Sequence, residues 1–91
     1  MRPMKHCSLQ ITYLHGKPLA AYLYLGTPGA EAARTLKKGK GLVVDYDAEG
    51  NPIGIEITAP AFVTPDDVNG LLVELHQEAI AEEELAPLRS A

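Results

Sequence analysis

The clearest structural pattern in the chain lies in residues 41–57, which read Gly41-Leu42-Val43-Val44-Asp45-Tyr46-Asp47-Ala48-Glu49-Gly50-Asn51-Pro52-Ile53-Gly54-Ile55-Glu56-Ile57. The first part, Leu42 to Tyr46, is apolar and β-branched, which is typical of a strand. The last part places isoleucine at every second position, which is the period of a half-buried strand. The Asp47–Pro52 segment between them has the residues of a turn. We therefore predict a β-hairpin.

Three further strands are predicted before this hairpin. Residues 7–13 alternate apolar and polar side chains, and residues 19–25 are apolar at nearly every position. A strand that is apolar on both sides is covered on both faces, so we expect residues 19–25 to form the central strand. Glu31–Leu36 is predicted as an edge strand, although its alanines leave a helical turn open as the alternative.

A helix is predicted after the sheet. Thr64 is a good N-cap, Pro65 suits the first helical position, and the two aspartates that follow favour the positive end of the helix dipole. Apolar residues then recur at spacings of three and four, at Val68, Leu71, Leu72, Leu75, Ala79 and Ile80. We expect the helix to run from Pro65 to about Glu84. The predicted fold is α+β, a small antiparallel β-sheet of about four or five hairpin-connected strands with one C-terminal helix packed on one face.

Length and composition limit the class of protein. The chain has 91 residues, of which 46% are hydrophobic and 22% charged, so we expect one α+β domain over residues 7–91 after a flexible N-terminus at residues 1–6. The formal net charge of -4 argues against nucleic-acid binding. We expect no membrane contact, because no apolar run nears the roughly 18 residues of a span and no signal peptide is present. A single cysteine fits a cytoplasmic location.

The hairpin resembles a known family. Residues 41–57 are similar to the bacterial domain-of-unknown-function family 2283, which pairs a valine-rich strand and an acidic turn with a Val/Ile-Gly-Ile-Glu strand. Residues 20–25, Ala-Ala-Tyr-Leu-Tyr-Leu, resemble an earlier strand of that family. The resemblance spans roughly residues 13 to 59. It implies a small antiparallel sheet without an established activity, and suggests pairing with a small toxin-like protein. The acids that commonly precede the earlier strand in the family are replaced here by His15, Lys17 and Leu19.

The acidic hairpin has the spacing of a calcium-binding loop. Five polar residues and one glycine fall at loop positions 1, 3, 5, 6, 7 and 12, and these residues are Asp45, Asp47, Glu49, Gly50, Asn51 and Glu56. Glu at the fifth position is longer than the usual ligand, and the flanking segments are predicted strands instead of helices. We therefore interpret the segment as a solvated turn in which Gly50 supplies a positive φ angle.

A second candidate metal site is formed by His6, Cys7 and His15, because imidazole and thiolate are ligands for zinc or nickel. Ordinary packing and turn roles explain the same three residues. We assign no cofactor, metal or catalytic residue. A small metal-binding protein or enzyme that uses His15, Cys7 and the acidic hairpin Asp45–Glu56 stays as the alternative function.

Charge is distributed unevenly along the chain. A basic cluster contains Arg34, Lys37, Lys38 and Lys40, whereas seven of the 12 acidic residues lie between Asp66 and Glu84. This pattern is typical of a solvated helix face and a lysine-protected edge strand, and alternatively of a docking surface. The leading hypothesis is a non-enzymatic protein-binding or regulatory module, antitoxin-like in character, with a basic protein partner.

The number of apolar faces predicts a homodimer. One helix covers one face of the sheet, yet residues 19–25 are apolar on both faces. In the strand Leu42–Tyr46, the side chain of Val43 is expected on the face opposite to that of Leu42 and Val44. An exposed apolar face commonly marks an interface, and a two-fold pair is the most frequent solution. We place Tyr22, Tyr24 and Val43 at or near the dimer contact.

Overall fold

The structure, a computed structural model, describes residues 7–26 and 29–89. The predicted flexible segment at residues 1–6 lies outside the described residues, as does His6. The strands are β1 (Cys7–Leu14), β2 (Lys17–Leu25), β3 (Arg34–Gly39), β4 (Leu42–Tyr46) and β5 (Pro52–Ile57). They form one antiparallel sheet in the order β1-β2-β5-β4-β3. Helices α1 (Pro65–Glu74) and α2 (Glu82–Leu85) follow, with 3₁₀ turns at Pro60–Phe62 and Ala86–Arg89.

The α+β fold with five antiparallel strands is confirmed, but the central strand is not the predicted one. Strand β5 occupies the middle of the sheet, and β2 lies between β1 and β5. The predicted edge strand is real but lies later in the chain, at Arg34–Gly39 instead of Glu31–Leu36. The two-residue turn Lys40–Gly41, in which both residues have positive φ, pairs Gly39 with Leu42, so the partner of Tyr46 at the other end of β4 is Arg34.

Helix α1 begins as predicted. The Thr64 side chain accepts a hydrogen bond from the Asp67 backbone, and the Asp67 carboxylate accepts one from the Thr64 backbone, which completes a capping box. Pro65 occupies the first turn. The predicted end at Glu84 is wrong, because α1 ends at Glu74.

The early end of α1 has a clear cause in the residues that follow. His76 adopts φ 61°, a left-handed conformation that stops the helix, and the Gln77 amide donates to the Leu72 carbonyl at 2.7 Å. The Asn69 side chain then holds the returning chain, accepting from Ile80 N at 2.7 Å and donating to Ile80 O at 2.9 Å. The chain therefore folds back over α1 and places Leu85 and Leu88 in the core.

The core lies between one face of the sheet and the helical segments. Its buried strand residues alternate along β2, β4 and β5, and it includes Ala21, Leu23, Leu25, Leu42, Val44, Tyr46, Ile55 and Ile57. The helical segments contribute Val63, Val68, Leu71, Leu72, Leu85 and Leu88. This burial is the main stabilising contribution expected in a domain of this size. Within the described residues no helix is both long and apolar enough to cross a bilayer.

Candidate functional site

The candidate site is the sheet face opposite the core, which we call the open face. It is formed by the side chains that alternate with the core residues, namely Gln10, Tyr22, Tyr24, Thr35, Lys37, Val43, Asp45 and Glu56. Among them, Tyr22, Tyr24, Val43 and Asp45 are half-buried, and the other four are exposed. The helical segments pack on the core side. The open face is therefore the large accessible surface of the sheet.

Tyr22 crosses the central strand to reach Asp45. Its hydroxyl donates a hydrogen bond of 2.8 Å to Asp45 Oδ2, although β2 and β4 are separated by β5. The ring lies directly over Gly54, where an added Cβ would overlap the Tyr22 hydroxyl oxygen and the adjacent ring carbons. A glycine at this strand position is therefore required by the close approach of the ring.

This hydrogen bond belongs to a chain of contacts that spans the sheet. The ring centroids of Tyr22 and Tyr24 are 4.7 Å apart in an edge-to-face arrangement. The Tyr24 hydroxyl donates to Gln10 Oε1 on β1 at 3.0 Å, and the Thr35 hydroxyl on β3 donates to Asp45 Oδ1 at 2.8 Å. The contacts thus connect both edge strands through side chains of the open face, and they hold both tyrosine rings in fixed orientations.

The environment of Tyr22 keeps its hydroxyl protonated. Burial raises the pKa of the Tyr22 phenol well above its ordinary value, and the hydrogen bond and negative charge of Asp45 raise it further. A neutral phenol that already donates to a carboxylate is a poor base and a poor nucleophile at neutral pH. Its chemistry suits recognition by packing and hydrogen bonding.

The three residues predicted at an interface share the open face. Tyr22 pairs with Glu56 across β2 and β5, Val43 pairs with the same Glu56 from the other side, and Tyr24 pairs with Gly54. Glu56 is exposed between the two half-buried neighbours. On the far side of Val43, its partner on β3 is Lys37. The predicted residues therefore lie on one continuous surface with a charge on either side of Val43.

The residues of the calcium-loop pattern do not converge on one point. Asp45 is held on the open face by Tyr22 and Thr35. Asp47 Oδ1 accepts hydrogen bonds from the backbone of Glu49 at 2.9 Å and of Asn51 at 2.8 Å, so its carboxylate closes the turn itself. These bonds, above all that from the Asn51 backbone, lower the pKa of Asp47. Within residues 7–26 and 29–89, no three His, Cys, Asp or Glu side chains are grouped to hold a metal ion.

The second candidate metal site is not assembled either. Cys7 begins β1, and His15 follows the end of that strand in the turn to β2. Eight residues of extended chain separate the two by roughly 26 Å. They therefore lie at opposite ends of the β1–β2 hairpin and cannot ligate one ion.

Most side chains of the basic cluster contact residues on the core side of the sheet. The guanidinium carbon of Arg34 lies 5.2 Å from the centroid of the Tyr46 ring. Lys38 Nζ lies 3.4 Å from Glu74 Oε2. Lys40 Nζ lies 3.1 Å from Asp67 Oδ1. The two ion pairs cross a shallow groove of about 360 Å³ between the β3–β4 turn and α1. Lys38 and Lys40 thus neutralise Glu74 and Asp67, and these two ion pairs link the β3–β4 turn to α1 within the same chain.

The fold and the open face define a small α+β domain built on a single antiparallel sheet. Residues 20–59 match the model of the family described as Protein of unknown function (DUF2283), and the chain therefore carries a DUF2283 family domain over these residues. This range contains Tyr22, Asp45 and Gly54, so the contact that crosses the sheet lies within the matched domain. Comparison with curated proteins and with solved structures gives no significant match.

The sequence interpretation missed the role of Asp45 and of Gly54. The calcium-loop interpretation groups Asp45 with the residues of the acidic turn, whereas Asp45 lies within β4 and its side chain is on the open face. The available signal was Gly54, because a glycine inside a strand commonly marks the close approach of another group. Which group approaches depends on the β2–β5–β4 register, and local spacing does not contain that information.

Proposed function

We propose that this protein is a non-enzymatic protein-binding or regulatory module that forms a homodimer through the open face. Tyr22, Tyr24 and Val43 lie at or near the contact. The observation that carries the proposal is the presence of half-buried tyrosine and valine side chains on a sheet face opposite the one that packs on the helices. Aromatic groups of this kind dominate the binding energy of protein interfaces.

The arrangement of the tyrosines supports binding. Both rings are held by hydrogen bonds, to Asp45 and to Gln10, and they pack against each other. A surface that is already ordered loses little side-chain entropy on association. The open face therefore has the rigidity expected of a preformed contact surface.

The alternative function, a small enzyme or metal-binding protein, has weaker support. It requires His15, Cys7 and the Asp45–Glu56 hairpin to act together, but the first two lie at opposite ends of β1. The carboxylates of Asp45 and Asp47 are occupied by hydrogen bonds from within the chain. In the described part of the molecule, no three His, Cys, Asp or Glu side chains are grouped so that they could hold a metal ion.

A second partner with a basic surface is also proposed, in keeping with an antitoxin-like role in the cytoplasm. Glu78, Glu83 and Glu84 are exposed acids in the segment after α1. Complementary charge of this kind accelerates and orients the docking of a basic protein. Affinity capture from native extract tests this part: the proposal predicts a basic protein that is lost when the three glutamates are changed to glutamine.

Sedimentation equilibrium tests the dimer. We expect a mass near twice 9.8 kDa at micromolar concentration. Val43→Ala should weaken association about fivefold or more, because a central interface side chain is lost. Val73→Ala is the matched control, since Val73 is 63% exposed on α1, and it should leave the dimer unchanged. A single species near 9.8 kDa, or equal effects of the two variants, would contradict the proposal.

A further inference from the structure

The open face carries one basic and one acidic side chain, on opposite sides of Val43. Lys37 on β3, Val43 on β4 and Glu56 on β5 are consecutive partners across the sheet. Neighbouring strands are about 5 Å apart, so the positive and the negative residue flank Val43 at equal distances. When a second copy of this row, Lys37-Val43-Glu56, is rotated by 180° about Val43 and placed face to face with the first, each lysine lies opposite a glutamate.

Both charges are left without an intramolecular partner in the described structure. Of the basic cluster, Arg34, Lys38 and Lys40 are engaged on the core side, and only Lys37 forms no such contact there. On the open face, Asp45 is occupied by Tyr22 and Thr35, whereas no hydrogen bond or ion pair to Glu56 is found among the described residues. A complementary surface would therefore satisfy one acid and one base.

The position of Glu56 restricts how two open faces can meet. Glu56 lies on the central strand, so a face-to-face contact centred on the sheet covers it, and covering a carboxylate without a partner is strongly unfavourable. A two-fold axis along β5 would bring Glu56 against its own copy. An axis along β4 instead brings β5 of one subunit against β3 of the other. It also brings Asp45 near its own copy, but both oxygens of that carboxylate already accept hydrogen bonds, from Tyr22 and Thr35, whereas Glu56 has no such donors among the described residues.

We infer that two copies of the chain pack face to face about a two-fold axis along β4, with Val43 on the axis and Glu56 of each subunit paired with Lys37 of the partner subunit. The inference rests on the proposed function, because it specifies the partner and the geometry of the open face. The Tyr22 ring lies over β5 and falls inside the contact. The Tyr24 hydroxyl points toward β1 and falls at its rim.

Charge reversal tests this geometry. Glu56→Lys creates two Lys–Lys contacts in the dimer, and Lys37→Glu creates two Glu–Glu contacts, so each variant alone should dimerise at least about tenfold more weakly at low salt. An equal mixture of the two variants has opposite charges at both contacts. The mixture should therefore form a heterodimer with an affinity within about threefold of the wild-type dimer.

Glu78→Lys is the control, because it reverses an exposed acid outside the sheet and should not affect dimerisation. Circular dichroism establishes that each variant is folded. The neutral variant Glu56→Gln should weaken the dimer less than Glu56→Lys, and it replaces Glu56→Lys in the test if that variant does not fold. A wild-type dimer with unaffected single variants, or a mixture that does not associate, would overturn this geometry and leave the proposed function standing. A monomeric wild-type protein would overturn both.

Discussion

The hydroxyl of Tyr22 donates to Oδ2 of Asp45 across the full width of strand β5, at a distance of 2.8 Å. The two residues are 23 positions apart in the sequence. Their contact links three adjacent strands from the open side, while the core links the same strands from the other side. The tyrosine ring thereby has both a structural role and, in the proposed dimer, a place in the contact.

Removing the Tyr22 hydroxyl should destabilise the fold. Tyr22→Phe leaves the ring over Gly54 but removes the donor to the half-buried Asp45, and a hydrogen bond to a carboxylate contributes about 1 kcal/mol or more. Urea unfolding measures the loss. Tyr24→Phe is the matched control, because its hydroxyl bonds an exposed Gln10 amide, and it should cost less. Equal losses for the two variants would contradict the importance of the Asp45 contact.

Gly54→Ala should be destabilising because of Tyr22. An alanine Cβ would overlap the ring, so the ring must leave its position, at a cost of about 1–3 kcal/mol. In a Tyr22→Ala background the space is free, and the same change should then cost little. Unfolding of the two single variants and the double variant measures this coupling, and additive effects would show that the ring does not occupy the site.

A glycine control is offered by helix α1. A Cβ added at Gly70 would meet no described atom within 4 Å outside its chain neighbours and the backbone of its own helix, and Gly70 has no positive φ. Gly70→Ala should therefore stabilise the protein by about 0.5–1 kcal/mol, as expected for alanine in a helix interior. A destabilising result in the same unfolding assay would contradict the described path of α1.

The strands and the helix start could be predicted because they depend on short-range patterns. Alternating isoleucines in β5 and the Thr64–Asp67 capping box are both readable over a few residues. The end of α1 could not be predicted in this way. It depends on His76 taking a left-handed conformation and on Asn69 binding the backbone of Ile80, a contact across 11 positions.

The candidate site shows the same limit. The parity of β2 and β4 correctly placed Tyr22, Tyr24 and Val43 on one face. It did not place β5 between those strands, since strand order depends on long-range pairing. The Glu56 and Lys37 positions beside Val43 follow only from that order, which is why the charged row could be recognised only in the structure.

The N-terminus of α1 should make stability depend on acid pH. Hydrogen bonds from the Thr64 backbone and the Lys40 side chain lower the pKa of Asp67 in the folded protein. A depressed folded-state pKa stabilises the fold above the ordinary aspartate pKa of about 3.9, and this contribution is lost as the pH falls through the folded value. The stability difference between wild type and Asp67→Asn should therefore be constant from pH 7 to 5 and shrink below about pH 4.

Urea unfolding at a series of pH values measures this difference. Asp66→Asn is the control, because Asp66 is the exposed neighbour and the capping box is formed by Asp67. It should give a smaller difference at neutral pH. A wild-type advantage over Asp67→Asn that grows as the pH falls below 4 would contradict the described role of Asp67.

The contact of two open faces is tested most directly by isotope-filtered NOE spectroscopy on an equal mixture of ¹³C-labelled and unlabelled protein. We expect intermolecular cross-peaks from the methyl groups of Val43, because this side chain lies on the proposed two-fold axis. The methyl groups of Val73, exposed on α1, should give none. Intermolecular cross-peaks confined to Val73 or to other residues outside the open face, or none at concentrations up to a millimolar, would contradict a dimer formed through the open face.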